Sequence, residues 1–181
     1  RLSAYINTGL LPSVIDIYSF SGEYRHIENS VLFGCRSSGS FANSNQLYLN
    51  RSSTNNGVIS CLICNAAGGA STFSNKNFVF YRGTTADVPF AIHEENVSIL
   101  GHPTEWFVPS QPIYLLGFNV LGTNNSSVGG GKLRHFKIDG RCDFIPCYRK
   151  SDSKPGMYDL VSKTFFTNAG TGEFLVGPDV N

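Results

Sequence analysis

Apolar and polar residues alternate with a period of two along most of the chain. Short segments with this pattern are also rich in β-branched and aromatic residues, which is typical of β-strands. These segments are VIDIYSF (14–20), SVLFG (30–34), NQLYL (45–49), VISCLIC (58–64), FVFYR (78–82), VPFAI (88–92), PIYLLGFNV (112–120) and LRHFKID (133–139). No comparable helical periodicity accompanies them, so the pattern predicts an all-β protein.

Turn-forming residues separate the predicted strands. Asn56-Gly57 and Asp139-Gly140 are typical of tight turns because these residue types tolerate positive φ. Residues 123–131 are predicted to form a long hairpin loop. Parallel pairing needs crossovers of a dozen residues or more, so short connections favour antiparallel sheets. With 181 residues, the chain fits one domain spanning residues 1–181, a two-sheet antiparallel jelly-roll sandwich.

Composition and charge exclude several kinds of partner. Charged residues make up 15% of the chain and the formal net charge is +1, with no run of Lys or Arg. We therefore expect no nucleic-acid binding. No apolar stretch approaches the length of a membrane span, so we expect no membrane insertion. The first residue is Arg, and we expect the chain to be a fragment of a longer polypeptide.

No residue spacing points to catalysis. Glycoside hydrolysis needs two carboxyl groups about 5–9 Å apart across a cleft. Glu94 and Glu95 are adjacent and would face opposite sides of a strand, and an Asp-Gly turn separates Asp139 from Asp143. A G-x-S-x-G nucleophile motif is also absent from the sequence. We expect the protein not to be an enzyme, with a glycan-cleaving enzyme as the least favoured alternative.

The five cysteines are an odd set in a chain too long for a disulfide miniprotein. We expect them to be small buried hydrophobic residues. The alternative is a zinc site formed by Cys61, Cys64, Cys142 and Cys147, since zinc favours four thiolates with a C-x-x-C pair. Cys61 and Cys64 lie in a predicted strand, where positions three apart face opposite sides, and this argues against zinc.

Aromatic and arginine side chains near the strand ends are the candidate ligand-binding residues. Sugar rings stack their apolar faces on aromatic rings, while polar side chains form hydrogen bonds around the edge. For any single residue, packing at a strand end is the alternative. The candidates are Tyr24, Arg25, Arg36, Arg51, Tyr81, Arg82 and Trp106.

The C-terminal part of the chain carries a series of short motifs. They are F-x-I at 136–138, D-F-I-P-C at 143–147, G-x-Y-D at 156–159 and F-T-N-x-G-x-G-x-F at 166–174. Residues 132–178 thereby resemble the closing segment of concanavalin-like, laminin-G-like jelly-roll domains in phage and prophage tail proteins. Y-I-x-T-G at 5–9, F-G-x-R at 33–36 and PIYLLGFN at 112–119 are similar to further parts of these domains. Residues 37–109 match least.

The resemblance implies a role in attachment. Such modules contact host glycans or proteins from the end of a tail fibre or from a bacterial surface protein. We therefore expect a non-catalytic module of a virion tail or bacterial cell surface that recognises a host-surface carbohydrate. A protein receptor and a structural or oligomerising role are the alternatives. The resemblance also implies a homotrimer formed through the parent chain.

Calcium is the one cation that the resemblance implies, because laminin-G-like domains often hold it at the sandwich rim through Asp carboxylates. Asp87, Asp139 and Asp152 are weak loop candidates, since no D-x-D-x-D spacing fixes a site. We otherwise expect no cofactor and no metal.

Two of the motifs also predict local structure. Asp159 precedes Ser162-Lys163 and is expected to accept backbone N–H groups at a turn between two short strands. Residues 167–172 are of types that tolerate left-handed backbone, and Phe174 is expected to return to the core after them.

Overall fold

The chain forms β-strands and connecting segments throughout the described residues, which contain no helix. The computed structural model describes residues 4–13, 16–24, 31–37, 44–51, 56–65, 77–81, 90–98, 109–124 and 131–174. The strands are β1 (Ile6–Asn7), β2 (Ile17–Tyr24), β3 (Val31–Arg36), β4 (Ser44–Arg51), β5 (Asn56–Asn65), β6 (Asn77–Tyr81), β7 (Phe90–Ser98), β8 (Tyr114–Leu115), β9 (Asn119–Val120), β10 (Thr123–Asn124), β11 (Gly131–Ile138), β12 (Cys142–Arg149), β13 (Lys154–Asp159) and β14 (Thr164–Thr167). A helix able to span a membrane is accordingly not found in this part of the chain.

The strands form two sheets. Sheet A has the order β1-β8-β3-β4-β5-β6, with β9 beside β3 and β10 beside β9. Sheet B has the order β14-β13-β12-β11-β2-β7. The described pairings are antiparallel apart from β3 and β9, which run parallel over two residue pairs. The predicted all-β class with two sheets is confirmed, and the short parallel pair is an exception to the predicted antiparallel pairing.

An aromatic cluster around Phe33 joins the inner faces of the two sheets. Phe33 lies on β3 of sheet A, and its ring centroid is 5.2 Å from that of Phe20 and 4.8 Å from that of Phe136. The ring of Tyr18 stacks on Phe33 at 5.9 Å. All four side chains are fully buried. Burying each such ring contributes roughly 1.5–3 kcal/mol, so the cluster stabilises the contact between the sheets.

The period-two pattern of burial holds on β11, whereas five consecutive residues of β3, from Val31 to Cys35, are buried. On β11, Phe136 and Ile138 are fully buried while Lys137 between them reaches the surface and pairs with Asp139. Each of the predicted segments contains at least part of a strand. The segments therefore mark strands correctly, but β1, β10 and β12 lie outside them.

Two predictions about strands and turns are wrong. Residues 112–120 form two short strands rather than one, because Leu116 adopts a φ of 55°. A Cβ at the next residue, Gly117, would lie 2.6 Å from the Cβ of Tyr5, so only glycine fits there. Asn56 and Gly57 do not form a turn but pair with β6 as the first residues of β5.

Of two predictions about the connections before and after β11, one is wrong and one is correct. Thr123 and Asn124 form β10 in sheet A, whereas Gly131 begins β11 in sheet B. The two ends of the predicted hairpin, Thr123 and Gly131, therefore lie in different sheets, and the hairpin prediction is wrong. The turn at Asp139-Gly140 is confirmed, since Gly140 has a φ of 71° and lies between β11 and β12.

Asn168 fastens the C-terminal segment to the N-terminal one. Its Oδ1 accepts the backbone N–H of Tyr5 at 3.0 Å, and the N–H of Ala169 donates to the carbonyl of Tyr5 at 2.9 Å. The same Oδ1 accepts the N–H of Gly170 at 2.8 Å. No residue between 167 and 172 has a positive φ, so these residues do not use the left-handed backbone that they tolerate. The Asn168 amide shapes this turn instead, and Phe174 packs against the core as predicted.

Candidate functional site

The second half of β12 pairs with β13 but no longer with β11. β12 pairs with β11 only from Cys142 to Phe144, but with β13 from Phe144 to Arg149. Within the described residues, the other edge of β12 beyond Phe144 therefore has no strand partner. We call residues 145–158, which comprise this half of β12, the turn and most of β13, the β12–β13 arm.

Exposure changes where the arm begins. Cys142 and Phe144 are fully buried, whereas Ile145 is 36% and Tyr148 is 43% exposed, on opposite faces of the strand. Pro146 lies between them and has no backbone N–H. Proline is tolerated in sheets mainly on edge strands, and here it occupies the unpaired edge of β12. Both faces of the arm are consequently accessible to solvent.

On the outer face of sheet B, the ring of Phe165 lies between Gly156 and the guanidinium of Arg149. Gly156 pairs with Thr167 of β14, and a Cβ at Gly156 would lie 2.6 Å from the Cζ of Phe165. The missing side chain therefore leaves room for the Phe165 ring to lie against β13. The guanidinium of Arg149 lies over this ring, 5.3 Å from its centroid. Glycine at 156 thus allows the ring to support the arginine.

Asp152 holds the same arginine from the turn. Its Oδ1 accepts Nε of Arg149 at 2.9 Å and its Oδ2 accepts Nη2 at 2.5 Å. The hydrogen bonds from Arg149 lower the pKa of Asp152 to about 2. The pair is therefore ionised across the neutral and mildly acidic range, and Arg149 is held by both a carboxylate and a ring.

At the opposite end of β12, the charged residues hold the sheet together. His135 Nε2 lies 3.0 Å from Asp143 Oδ1 across β11 and β12. The N–H of Asp143 donates to Asp159 Oδ1 at 2.7 Å. Burial acts to raise the pKa of Asp159, but hydrogen bonds from Ser162, Asp143 and Val161 outweigh it and the pKa is lowered. The prediction that Asp159 accepts N–H groups at the turn is confirmed.

A buried ion pair links the N-terminal segment to the β11–β12 turn. Arg141 Nη1 donates to Asp16 Oδ1 at 2.7 Å and to Oδ2 at 2.8 Å, and Nη2 donates to the carbonyl of Leu11 at 2.7 Å. The Asp16 side chain is only 1% exposed and also accepts the hydroxyl of Tyr18 at 2.9 Å. These bonds satisfy the buried carboxylate and give it a structural role.

The predicted ligand-binding residues that the structure describes do not gather at one place. Arg51 and Tyr81 both pair with the first residues of β5, at one end of sheet A. Arg36 pairs with Ser44 at the start of β4, whereas Arg51 is at the end of β4. The guanidinium of Arg36 lies 5.0 Å from the Phe118 ring centroid. The backbone of Tyr24 ends β2 in sheet B. Arg25, Arg82 and Trp106 lie outside the described residues.

The calcium candidates are also far apart. Asp139 accepts Lys137 Nζ at 2.8 Å in the turn before β12, and Asp152 accepts Arg149 in the turn after it. The eight residues of β12 span roughly 25 Å, so these carboxylates cannot share one ion. Asp87 lies outside the described residues. Those residues contain no cluster of three or more metal-ligating side chains.

The cysteines that the structure describes do not support the zinc alternative. Cys142 is fully buried in the core, and Cys147 is partly exposed. They lie five positions apart on one strand and face opposite sides, so they cannot ligate one ion together. Burial raises the pKa of the Cys142 thiol to about 12.

Sequence reasoning missed the central residues of the arm. Arg149, Tyr148 and Phe165 were not among the candidates, and Asp152 was considered only for calcium. A signal was present in R-K-S-D-S-K (149–154), where Arg and Asp stand three positions apart in a turn. What could not be foreseen is that β12 leaves β11 and exposes this turn.

No protein-family model, curated protein or solved structure matches this chain. The geometry of the arm is therefore the basis for a proposal about function.

Proposed function

We propose that this chain is a non-catalytic binding module that recognises a host-surface carbohydrate. The proposed parent is a phage or prophage tail protein, or a bacterial surface adhesin. The observation that carries the proposal is one face of the arm, where exposed Ile145 lies on the same side of β12 as Arg149, whose guanidinium is fixed on Phe165. Apolar and aromatic side chains beside an ordered hydrogen-bond donor are the groups that bind sugar rings.

A jelly-roll topology is part of the proposal. The chain passes from sheet B to sheet A between β2 and β3, and returns to sheet B between β6 and β7. It passes to sheet A again before β8 and back to sheet B before β11. Repeated exchange between two facing sheets is typical of jelly rolls and supports this topology.

The aspartates within the described residues are all held by fixed donors, which supports structural roles for them. Asp16 is held by Arg141, Asp139 by Lys137, Asp143 by His135, Asp152 by Arg149 and Asp159 by backbone N–H groups.

A second candidate, a structural or oligomerising domain, is favoured by exposed aliphatic side chains at the end of sheet B away from the arm turn. Leu160 is 38% and Val161 is 51% exposed in the β13–β14 turn. Leu11 is also exposed and is bonded to Arg141 at the same end. Such groups suit a contact between copies. Size-exclusion chromatography with light scattering tests the oligomerising role, because a chain that is monomeric at all concentrations contradicts it.

The test of the proposed function is binding of the folded chain to an array of microbial glycans, with and without calcium. Circular dichroism and a cooperative thermal transition first establish that the chain is folded. We expect saturable binding to a defined set of glycans, weakened when Ile145 is replaced by Ala. A folded chain that binds no glycan in either condition contradicts the proposal.

A further inference from the structure

The turn of the arm concentrates positive charge. Residues 149–154 carry Arg149, Lys150 and Lys154 against one carboxylate, Asp152. Lys154 Nζ is 3.8 Å from Asp152 Oδ2 and its side chain is 61% exposed. The only negative charge in this turn is already engaged, so the local excess of positive charge faces solvent.

Arg149 is ordered in a way that leaves part of its guanidinium available. Nε and Nη2 donate to the two oxygens of Asp152, and the flat face lies on the Phe165 ring. Within the described residues, Nη1 makes no hydrogen bond. The N–H groups of Nη1 and the second N–H group of Nη2 therefore remain available to a second planar acceptor. A guanidinium held in place loses less conformational entropy on binding than a free one.

We propose that the arm binds an acidic glycan whose sugar rings carry carboxylate groups, with the carboxylate on the free end of the Arg149 guanidinium. This inference rests on the proposed carbohydrate-binding function and adds the chemical class of the sugar. Arginine matches a planar carboxylate through two parallel hydrogen bonds, which a neutral hexose cannot provide. Lys150 and Lys154 offset the charge that such a ligand brings beside Asp152. Ile145, on the same face of β12 as Arg149, offers apolar surface for the sugar rings.

The test uses matched pairs of polysaccharides. The probes are polygalacturonate and polyglucuronate, each beside its carboxyl-reduced, neutral form, with poly(glycerol phosphate) as a phosphate-bearing polymer. Titration calorimetry at low and at moderate salt measures the affinity of the 181-residue chain. We expect at least tenfold tighter binding to a carboxylated polymer than to its reduced form, weakening as salt rises. Equal affinity for both forms, or binding to the phosphate polymer alone, overturns the inference.

Variants locate the contact. Arg149→Lys keeps the charge but loses the fork, and we expect it to lower affinity for the carboxylated probe about tenfold. Lys163→Gln is the control, because it removes one exposed positive charge at the opposite end of β13. We expect this variant to bind the carboxylated probe as tightly as the unsubstituted chain does. Equal losses in both variants would indicate a general charge effect and overturn the assigned contact.

The two proposals fail in different ways. A chain that binds neutral glycans on the array, but no carboxylated probe more tightly than its reduced form, keeps the proposed function and loses this inference. A folded chain that binds no glycan loses both. The thermal midpoint of each variant, compared with that of the parent chain, separates lost binding from lost folding.

Discussion

The carboxylate of Asp159 on β13 accepts the backbone N–H of Asp143 on β12 at 2.7 Å. It also accepts the N–H groups of Val161 and Ser162, each at 3.1 Å, in the following turn. One buried side chain thus ties the first part of β12 to the β13–β14 turn. The arm begins two residues after Asp143, so this contact fixes the base from which the arm extends.

Replacing Asp159 should destabilise the protein strongly. Asp159→Ala leaves three backbone N–H groups without their acceptor, and we expect a loss of about 2–4 kcal/mol. Asp159→Asn keeps one acceptor oxygen, so we expect a smaller loss. Urea denaturation followed by fluorescence measures both. Equal stability of the Ala variant and the parent chain would contradict the structural role of Asp159.

The same carboxylate makes stability depend on pH. Its hydrogen bonds lower its pKa in the folded state below the value of about 3.9 in an unfolded chain. The stabilisation is therefore fully present above about pH 4 and is lost as the pH falls through the folded-state pKa. We expect the difference in unfolding free energy between the unsubstituted chain and the Asp159→Asn variant to shrink below pH 4. Carboxylates that both proteins share cancel in this comparison.

The buried pair of Asp16 and Arg141 should show strong energetic coupling. Arg141→Met leaves a nearly inaccessible carboxylate without its cation. We expect a loss of about 2–3 kcal/mol, less than for a fully buried pair because Arg141 is 31% exposed. In a double-mutant cycle with Asp16→Asn, the coupling energy should be about 1–3 kcal/mol. Additive losses would show that the two residues act independently.

The strands could be predicted from the sequence because side-chain alternation has a direct physical cause. Phe136 and Ile138 must face the core, and Lys137 between them must face water. Pairing between distant strands has no such local signal. Nothing in the sequence near Thr123 shows that β10 and β11 belong to different sheets, which is why the hairpin prediction failed there.

The candidate site was harder to predict, since exposure of the arm depends on where β12 stops pairing with β11. Ile145 and Tyr148 look like ordinary strand residues until the register shows that β11 is no longer beside them. For Arg36, the sequence does not show that its guanidinium lies over the ring of Phe118, which is almost completely buried.

The cysteines should differ in reactivity. Burial raises the pKa of Cys142 to about 12, and its thiol is inaccessible, whereas Cys147 is partly exposed on the arm. Thiolate is the reactive form, so we expect iodoacetamide to modify native Cys147 at least about ten times faster than Cys142. Mass spectrometry of the digested protein separates the two sites. The difference should disappear in denaturant, and equal native rates would contradict the burial of Cys142.

Pro146 should protect the free edge of β12. An exposed strand edge with a full row of N–H groups can pair with another chain, and proline interrupts that row. We expect Pro146→Val to increase self-association, measured by light scattering over a concentration series, while the thermal transition stays cooperative. Tyr148→Val is the control, because it places the same β-branched residue on the same edge without adding an N–H group. If Pro146→Val remains as monodisperse as this control, the edge of the arm does not depend on proline for protection.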